Sequence, residues 1–188
     1  MTEKQGKLVV ISAPSGCGKT TIVERLLKQN KNLMRSISYT TRPPRSGEVN
    51  GRDYFFVSEE EFSSKARNHF FLESAKVFGY SYGTSREFVM DHILKGKDVV
   101  LAIDVQGMKQ LRVKADQEIP MTSIFIMPPS VEELKIRLEK RKTETKQGIA
   151  ERLKVAEREM AERSLYDFIV VNQKVDQAVK EIEGIVKC

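Results

Sequence analysis

The stretch KLVVISAPSGCGKTTIVERLL, from Lys7 to Leu27, joins an apolar run, a glycine-containing loop and a segment with helical spacing. Its residues APSGCGKT (13–20) match the phosphate-loop pattern G-x-x-x-x-G-K-[ST], except that alanine replaces the first glycine. A buried strand that leads through such a loop into a helix is the context in which this pattern binds phosphate. The sequence therefore predicts a nucleotide site, with Ala13 at a junction that tolerates a methyl group while φ stays negative.

The residues of this loop have chemistry that suits a triphosphate. Gly16 and Gly18 let successive backbone N–H groups point inward, while Lys19 can reach the β- and γ-phosphates. Thr20 can offer its hydroxyl oxygen to Mg²⁺ and is the predicted metal ligand. The predicted ATP-binding residues of the loop are Ala13, Pro14, Ser15, Gly16, Cys17, Gly18, Lys19, Thr20 and Thr21.

The rest of the chain predicts an α/β fold. Apolar runs at 8–12, 98–104, 121–127 and 167–172 are typical of strands buried on both faces of a parallel sheet. Segments with helical spacing follow the first three runs, and one of them opens with Ser130 as a capping residue three positions before Glu133. The last segment, from Val175, predicts a docked helix. Strands that alternate with helices indicate a three-layer α/β domain.

Two segments break this alternation. Residues 36–85 contain Pro43-Pro44, the turn signal Asn50-Gly51 and short aromatic runs, which predict an insertion with its own small sheet in place of a crossover helix. The charged stretch EKRKTETKQGIAERL predicts an irregular interruption of the helices near 141–152. A small β insert and a charged lid on a parallel core suit an enzyme that closes over two ligands.

Composition narrows the class of ligand. The net charge of +6 raises the possibility of nucleic acid, but no RNA- or DNA-binding signature and no block of like charges accompanies it. Basic residues that gather around small phosphorylated ligands are the favoured interpretation. No apolar run approaches the roughly 18 residues of a membrane span. The two cysteines do not make a disulfide framework, so we expect a cytoplasmic protein. From the charge pattern and the lack of a long apolar run, we expect neither nucleic-acid nor membrane partners.

The insert carries residues that can recognise a second nucleotide. Arg42 and Arg45 lie three apart in an extended loop and can converge on one phosphate. Tyr54 and Tyr82 can each add a hydroxyl group to that phosphate. The Glu73 carboxylate can accept hydrogen bonds from N1–H and the 2-amino group of guanine, a pair of donors that adenine lacks.

These segments resemble guanylate kinases. SISYTTRPPRSGEVNGRDYFFV (36–57) is similar to their GMP-binding pattern S-x-T-T-R-x-x-R-x-G-E-x-x-G-x-D-Y, and FLESAKVFGYSYGTS, IDVQG and a late lid follow in family order. The resemblance implies the fold of P-loop nucleoside monophosphate kinases: one α/β domain with a five-stranded parallel core sheet, a small mixed-β GMP-binding insert and a helical lid. The implied boundaries are 1–35, 86–138 and 156–188 for the core, 36–85 for the insert and 139–155 for the lid.

The resemblance also implies the reaction and the residues that perform it. ATP and GMP would give ADP and GDP with Mg²⁺, the GMP phosphate being held by Arg42, Arg45, Tyr54 and Tyr82. The full set of implied GMP-binding residues is Ser38, Arg42, Arg45, Tyr54, Glu73, Tyr82, Gly83, Thr84 and Asp104. The implied catalytic residues are Lys19, Arg137, Arg141 and Arg152, and Asn172 matches a position near the adenine.

Two departures from the family pattern concern the surroundings of the metal and the lid, and two alternatives to a guanylate kinase stay open. Ala102 stands where many members have an acidic residue, and Lys142 replaces a lid glycine. One alternative is a kinase for another nucleoside monophosphate, and another is an inactive protein-binding module of guanylate-kinase type. The intact phosphate loop and lid arginines favour an enzyme. Monomer and homodimer both remain open.

Overall fold

The computed structural model describes residues 5–115, 119–140 and 145–187. Within these residues the chain forms nine strands and seven α-helices. The strands are β1 (Leu8–Ser12), β2 (Leu33–Arg35), β3 (Tyr39–Thr40), β4 (Phe55–Phe56), β5 (Phe71–Val77), β6 (Tyr80–Ser85), β7 (Asp98–Ile103), β8 (Met121–Met127) and β9 (Phe168–Val171). The helices are α1 (Lys19–Gln29), α2 (Glu59–Arg67), α3 (Arg86–Leu94), α4 (Val105–Ala115), α5 (Val131–Lys140), α6 (Lys146–Ala161) and α7 (Val175–Lys187).

A five-stranded parallel sheet in the order β2-β7-β1-β8-β9 confirms the predicted core. The four predicted strands appear as β1, β7, β8 and β9, within one residue of the expected bounds. All five residues of β1 are buried, as the unbroken apolar run predicts. The fifth strand, β2, has only three residues and carried no distinct pattern in the sequence.

The insert forms a separate mixed sheet in the order β4-β3-β6-β5, as predicted. The helix α2 between β4 and β5 was not expected; it begins after Ser58, whose hydroxyl accepts a hydrogen bond from the Glu61 N–H at 3.0 Å. Phe62 of α2 stacks on Phe71 with ring centroids 4.5 Å apart. Tyr39 stacks on Phe55 at 4.7 Å, so aromatic rings form the core of the insert.

The helices that follow the core strands begin largely where the sequence predicts. Ser130 Oγ accepts from the Glu133 N–H at 3.1 Å, which confirms the capping residue of α5. The helix α7 packs against α1 through an apolar face that includes Val179 and Ile182. The expectation of an irregular stretch up to residue 152 is wrong from Lys146 onward, because Thr145 caps α6 there. No helix of the described residues combines the length and hydropathy that a membrane crossing requires.

The described chain divides into two compact units. The first comprises residues up to 8, 32–101 and 106–121, and the second comprises 9–31, 102–105 and 122 onward. The four-stranded sheet lies in the first unit, while the phosphate loop, α5, α6 and α7 lie in the second. The division into core, insert and lid at the implied boundaries stays a prediction.

Candidate active site

The phosphate loop has the backbone conformation that its glycines were expected to provide. Gly16 and Gly18 have φ angles of 96° and 83°, which L side chains rarely adopt. A Cβ atom at Gly18 would lie 2.8 Å from Asn172 Nδ2. The φ angle of Ala13 is not positive, which satisfies the condition for an alanine at that position. The loop leads directly into α1, so the helix N-terminus adds its partial positive charge.

Several predicted ATP-site residues hold this loop in place. Asn172, only 2% exposed, donates from Nδ2 to the Cys17 carbonyl oxygen at 2.7 Å. The backbone carbonyl oxygen of Asn172 accepts from Arg137 Nη2 at 3.1 Å. Arg152 Nη1 donates to Ser15 Oγ at 2.8 Å. Asn172 therefore supports the loop backbone in this structure. Of the predicted catalytic arginines, Arg152 contacts the loop itself and Arg137 contacts Asn172.

Arg141 was also predicted to be catalytic, and it lies outside the described residues. Its role stays a prediction.

The Lys19 ammonium group lies at the carboxyl end of β7. Its Nζ atom donates to the Ile103 carbonyl oxygen at 2.9 Å, one residue before Asp104. Glu159, from α6, interacts electrostatically with both Lys19 and Asp104. Burial raises the pKa of Glu159 to about 7, although the positive charge of Lys19 opposes that shift and Asp104 adds to it. Sequence reasoning missed Glu159, because no motif marks a glutamate 140 positions after the lysine it approaches.

The predicted metal ligand is accessible. Thr20 is exposed in the first turn of α1, where its hydroxyl oxygen can meet a cation bound to phosphate. The described residues contain no group of three or more His, Cys, Asp or Glu side chains that could hold a metal by themselves. One hydroxyl group beside a triphosphate fits Mg²⁺, which prefers oxygen ligands and commonly takes most of them from substrate phosphates and water.

Three predicted GMP residues of the first unit, Glu73, Tyr82 and Thr84, share one face of the four-stranded sheet, whereas Gly83 pairs with Tyr39 and lies on the other face. Paired residues in a sheet point to the same side, and alternate residues of a strand do so as well. Tyr82 pairs with Thr40 and with Ala75, and Thr84 pairs with Glu73. The other face carries Tyr39, Phe55 and Phe71, which form the aromatic core. One face of this sheet therefore packs aromatic side chains together, and the opposite face, called the polar face below, carries Glu73, Tyr82 and Thr84.

Glu73 and Thr84 form a buried pair on this polar face. Their exposed fractions are 3% and 0%, and Thr84 Oγ1 donates to Glu73 Oε1 at 2.6 Å. Gly83 permits close strand packing, since a Cβ atom there would lie 2.7 Å from Phe71 Cδ1. The hydroxyl proton of Thr84 is thus used to orient the carboxylate, and its oxygen keeps acceptor capacity.

Two of the predicted phosphate-binding residues, Tyr54 and Tyr82, lie beside a third, Arg42. Its guanidinium group lies 5.4 Å from the centroid of the Tyr54 ring, and the rings of Tyr54 and Tyr82 are 6.0 Å apart. Burial raises the pKa of Tyr54, which keeps its hydroxyl protonated as a donor. Arg45 is exposed at the edge of the loop.

The remaining two predicted GMP residues lie at element ends. Ser38 is half-buried just before β3, and its carbonyl oxygen accepts from the Phe55 N–H at 2.9 Å. Asp104 lies in the second unit, directly after β7.

The fold and the loop define a P-loop kinase: a parallel sheet whose strand β1 leads through a phosphate loop into a helix, with a lysine and arginines at that loop. The family model described as Guanylate kinase matches residues 5–188. The chain belongs to the guanylate kinase family.

Relatives of known name agree with this assignment. The chain is 48% identical over 184 residues to a guanylate kinase of Caldanaerobacter subterraneus subsp. tengcongensis, covering 98% of this chain and 88% of that protein. It is 45% identical over 183 residues to a guanylate kinase of a Wolbachia from Brugia malayi, with 97% and 93% covered. The crystal structure of guanylate kinase from Anaplasma phagocytophilum matches with a TM-score of 0.82 and 36% identity, covering 100% of this chain and 87% of that one.

Proposed function

We propose that this chain transfers the γ-phosphoryl group of ATP to GMP, with the phosphate loop holding the donor and the polar face of the insert holding the acceptor. The observation that carries the choice of acceptor is the buried Glu73 carboxylate, oriented by Thr84 on the same sheet face as Tyr82. A buried carboxylate needs donors, and N1–H and the 2-amino group of guanine supply two of them. Adenine offers no such pair, so it would gain neither of these hydrogen bonds.

The donor half works through positioning and neutralisation of charge. Backbone N–H groups of the loop and the N-terminus of α1 bind the β- and γ-phosphates of ATP. Lys19, the first residue of α1, supplies a positive charge to these phosphates, and Arg137 and Arg152 add positive charge from α5 and α6. The charge that develops on the transferring group is stabilised by cations that are already in place.

The acceptor half needs no general base. An oxygen of the GMP phosphate is already anionic near neutral pH and attacks the γ-phosphorus of ATP. The bond between that phosphorus and the β–γ bridging oxygen breaks, and ADP leaves with the electron pair. Arg42, Arg45, Tyr54 and Tyr82 orient the acceptor phosphate, which makes the reaction effectively unimolecular.

Mg²⁺ is the metal that these residues suit, with the Thr20 hydroxyl group as the protein ligand. The chemistry that the ion supplies when bound is neutralisation of charge on the β- and γ-phosphate oxygens. Ala102 leaves position 102 without a carboxylate, so Asp104 is the acidic residue of the predicted site at that end of β7.

Other predictions concern the surroundings of the protein. ATP and GMP are the proposed small-molecule substrates. A cytoplasmic location, the lack of nucleic-acid and membrane partners, and a monomeric or homodimeric state stay predictions.

The test is ADP formation from ATP and Mg²⁺ with GMP, dGMP, AMP, CMP, UMP and dTMP offered separately. We expect turnover with GMP and its deoxy form alone, because the proposed selection acts on the guanine base, which both share. Efficient turnover with AMP or dTMP would overturn the acceptor assignment and keep the kinase. Absence of turnover with every monophosphate, with ATP and GMP both bound, would overturn the enzymatic function itself.

A further inference from the structure

Glu48 forms an ion pair with Arg42 in the loop that follows β3. Arg42 Nη2 donates to Glu48 Oε1 at 2.8 Å and to Oε2 at 2.9 Å. Both side chains are largely withdrawn from water, with exposed fractions of 9% for Arg42 and 20% for Glu48. The charges of such an ion pair are screened less by water and salt than those of an exposed surface pair.

The same carboxylate also fixes the backbone of the other predicted phosphate-binding arginine. The backbone N–H of Arg45 donates to Glu48 Oε2 at 2.7 Å, and the Glu48 N–H donates to the Arg45 carbonyl oxygen at 3.1 Å. Gly47, with a φ angle of 85°, supplies the left-handed residue that closes this turn. One side chain therefore links the guanidinium group of Arg42 to the main chain of Arg45.

Further contacts leave the Arg42 guanidinium group little freedom. Nη1 donates to the Pro43 carbonyl oxygen at 2.8 Å, and the group lies 5.8 Å from the centroid of the Phe56 ring. Burial acts to lower the pKa of Arg42, but the hydrogen bonds and negative charge of Glu48, and to a smaller extent Tyr82, raise it overall. Nη2 donates to Glu48 and Nη1 to Pro43, so a phosphate oxygen would be met by the N–H groups of Arg42 that these contacts do not use.

We propose that Glu48 is a positioning residue for the acceptor phosphate: its carboxylate holds the Arg42 side chain and the Arg45 backbone in the arrangement that receives the phosphate of GMP. This inference rests on the proposed function. Glu48 itself does not touch the phosphate, since two negative groups repel each other. Its contribution is preorganisation, because a guanidinium group fixed in advance loses less conformational entropy when the ligand binds.

The test is the Glu48→Gln variant, whose steady-state kinetics are measured with GMP and ATP each varied in turn. Glutamine keeps the shape and one acceptor oxygen but loses the charge, and its NH₂ group faces the Arg45 N–H or Arg42 as a competing donor. We expect the KM for GMP to rise about tenfold, the loss of one charged hydrogen bond. The KM for ATP should stay within about twofold and kcat within about threefold, since the contact acts equally on the ground and transition states.

Two comparisons separate positioning from a general effect. Glu60→Gln removes the same charge from an exposed position on α2, and its KM for GMP should equal that of the unaltered chain. In an Arg42→Lys background, Glu48→Gln should raise the KM for GMP less than it does in the unaltered chain, because the contact with the guanidinium group is already lost and only the contact with the Arg45 N–H remains. Additive effects of the two substitutions would overturn the inference, and so would equal rises in the KM values for GMP and ATP.

Two more readouts keep the test decisive. If Glu48→Gln loses cooperative thermal unfolding, Glu48→Asp replaces it; the shorter side chain keeps the charge but cannot reach both partners, and an unchanged KM for GMP would contradict the proposal. The unaltered chain in the same assay separates the two claims. Its failure to phosphorylate GMP would overturn the proposed function, whereas normal turnover with an unaltered KM in Glu48→Gln would overturn only the role of Glu48.

Discussion

Thr84 Oγ1 donates to Glu73 Oε1 at 2.6 Å, and both residues are almost fully buried on the polar face of the insert. A carboxylate in such a place is oriented before any base arrives. The pair is built by the register of β5 and β6, which sets Glu73 opposite Thr84 just after a bulge that begins at Phe71. Recognition of guanine in our account depends on this pre-set orientation.

Replacing Thr84 by valine keeps the shape of the side chain and removes the hydroxyl group. The Glu73 carboxylate then loses the hydrogen bond from Thr84, a loss worth about 1–3 kcal/mol, so kcat/KM for GMP should fall roughly 5- to 150-fold. Thr84→Ser keeps the hydroxyl group and should stay within about threefold of the unaltered chain. Steady-state rates with varied GMP check this; equal kinetics for the valine and serine variants would contradict it.

Lys19→Met removes the positive charge beside the proposed β- and γ-phosphates while keeping much of the side-chain volume. Turnover should fall by at least about 10²–10³-fold, as expected when one preorganised charge-stabilising donor is lost. Lys28→Met is the matched control, because Lys28 is exposed in the last turn of the same helix. A Lys19→Met protein as fast as the control would exclude the proposed role of the loop lysine.

Gly18→Ala should damage both the phosphate loop and the stability of the chain. The φ angle of 83° is unfavourable for alanine, and the new Cβ atom would lie 2.8 Å from Asn172 Nδ2, which holds the Cys17 carbonyl oxygen. We expect the free energy of unfolding to fall by about 1–3 kcal/mol and the KM for ATP to rise.

Gly184→Ala is the control for this substitution. Gly184 lies inside α7 with open space at its Cβ position, so alanine should raise stability by about 1 kcal/mol. Denaturant titrations of the two variants should therefore shift in opposite directions. If both variants shifted the unfolding midpoint in the same direction, the strained, positive-φ conformation assigned to Gly18 would be contradicted.

The stability contributed by Glu159 should depend on pH. Its pKa is raised from 4.5 to about 7 in the folded chain, beside Lys19, Asp104 and Tyr166, so the folded state holds the proton more tightly than the unfolded state does. The contribution of Glu159 to the free energy of unfolding is then highest below about pH 4.5, falls as the pH rises toward 7, and is constant above that value. Glu159→Gln removes this loss and should be more stable than the unaltered chain at pH 8, by up to about 3 kcal/mol.

Denaturant titrations at pH 5 and pH 8 measure this difference. The two proteins should differ little at the lower pH and clearly at the higher one. A stability difference that does not change with pH would contradict the raised pKa of Glu159.

The sequence predicted the elements whose pattern is local. The run LVVISAPSGCGKT predicts β1, the phosphate loop and the start of α1. A strand buried on both faces is marked by its unbroken apolar residues, and the loop is marked by glycines that adopt positive φ. The strand β2 went unnamed, since three residues carry too little periodicity to mark a strand. The helix α2 was hidden among short aromatic runs, although Ser58 and the acidic residues after it form a start signal.

Residues that act through tertiary contacts were harder to find. Glu159 approaches Lys19 only because α6 returns to the loop, and no spacing in the sequence encodes that approach. Glu48 belongs to the insert pattern, but its hold on Arg42 and Arg45 depends on a turn closed by Gly47. Asn172 was expected near the adenine, while its amide group binds the Cys17 carbonyl oxygen in this structure.

The most direct test of the central claim is the ratio of kcat/KM for GMP to kcat/KM for AMP, measured in the unaltered chain and in Glu73→Ala. Sites that hydrogen-bond specific groups reject analogues lacking them by about 10⁴–10⁵-fold, so we predict a ratio of that order in the unaltered chain. Glu73→Ala should lower the ratio at least about 100-fold, through loss of GMP turnover and not through gain of AMP turnover. A Glu73→Ala protein that kept the full preference for GMP would contradict the account.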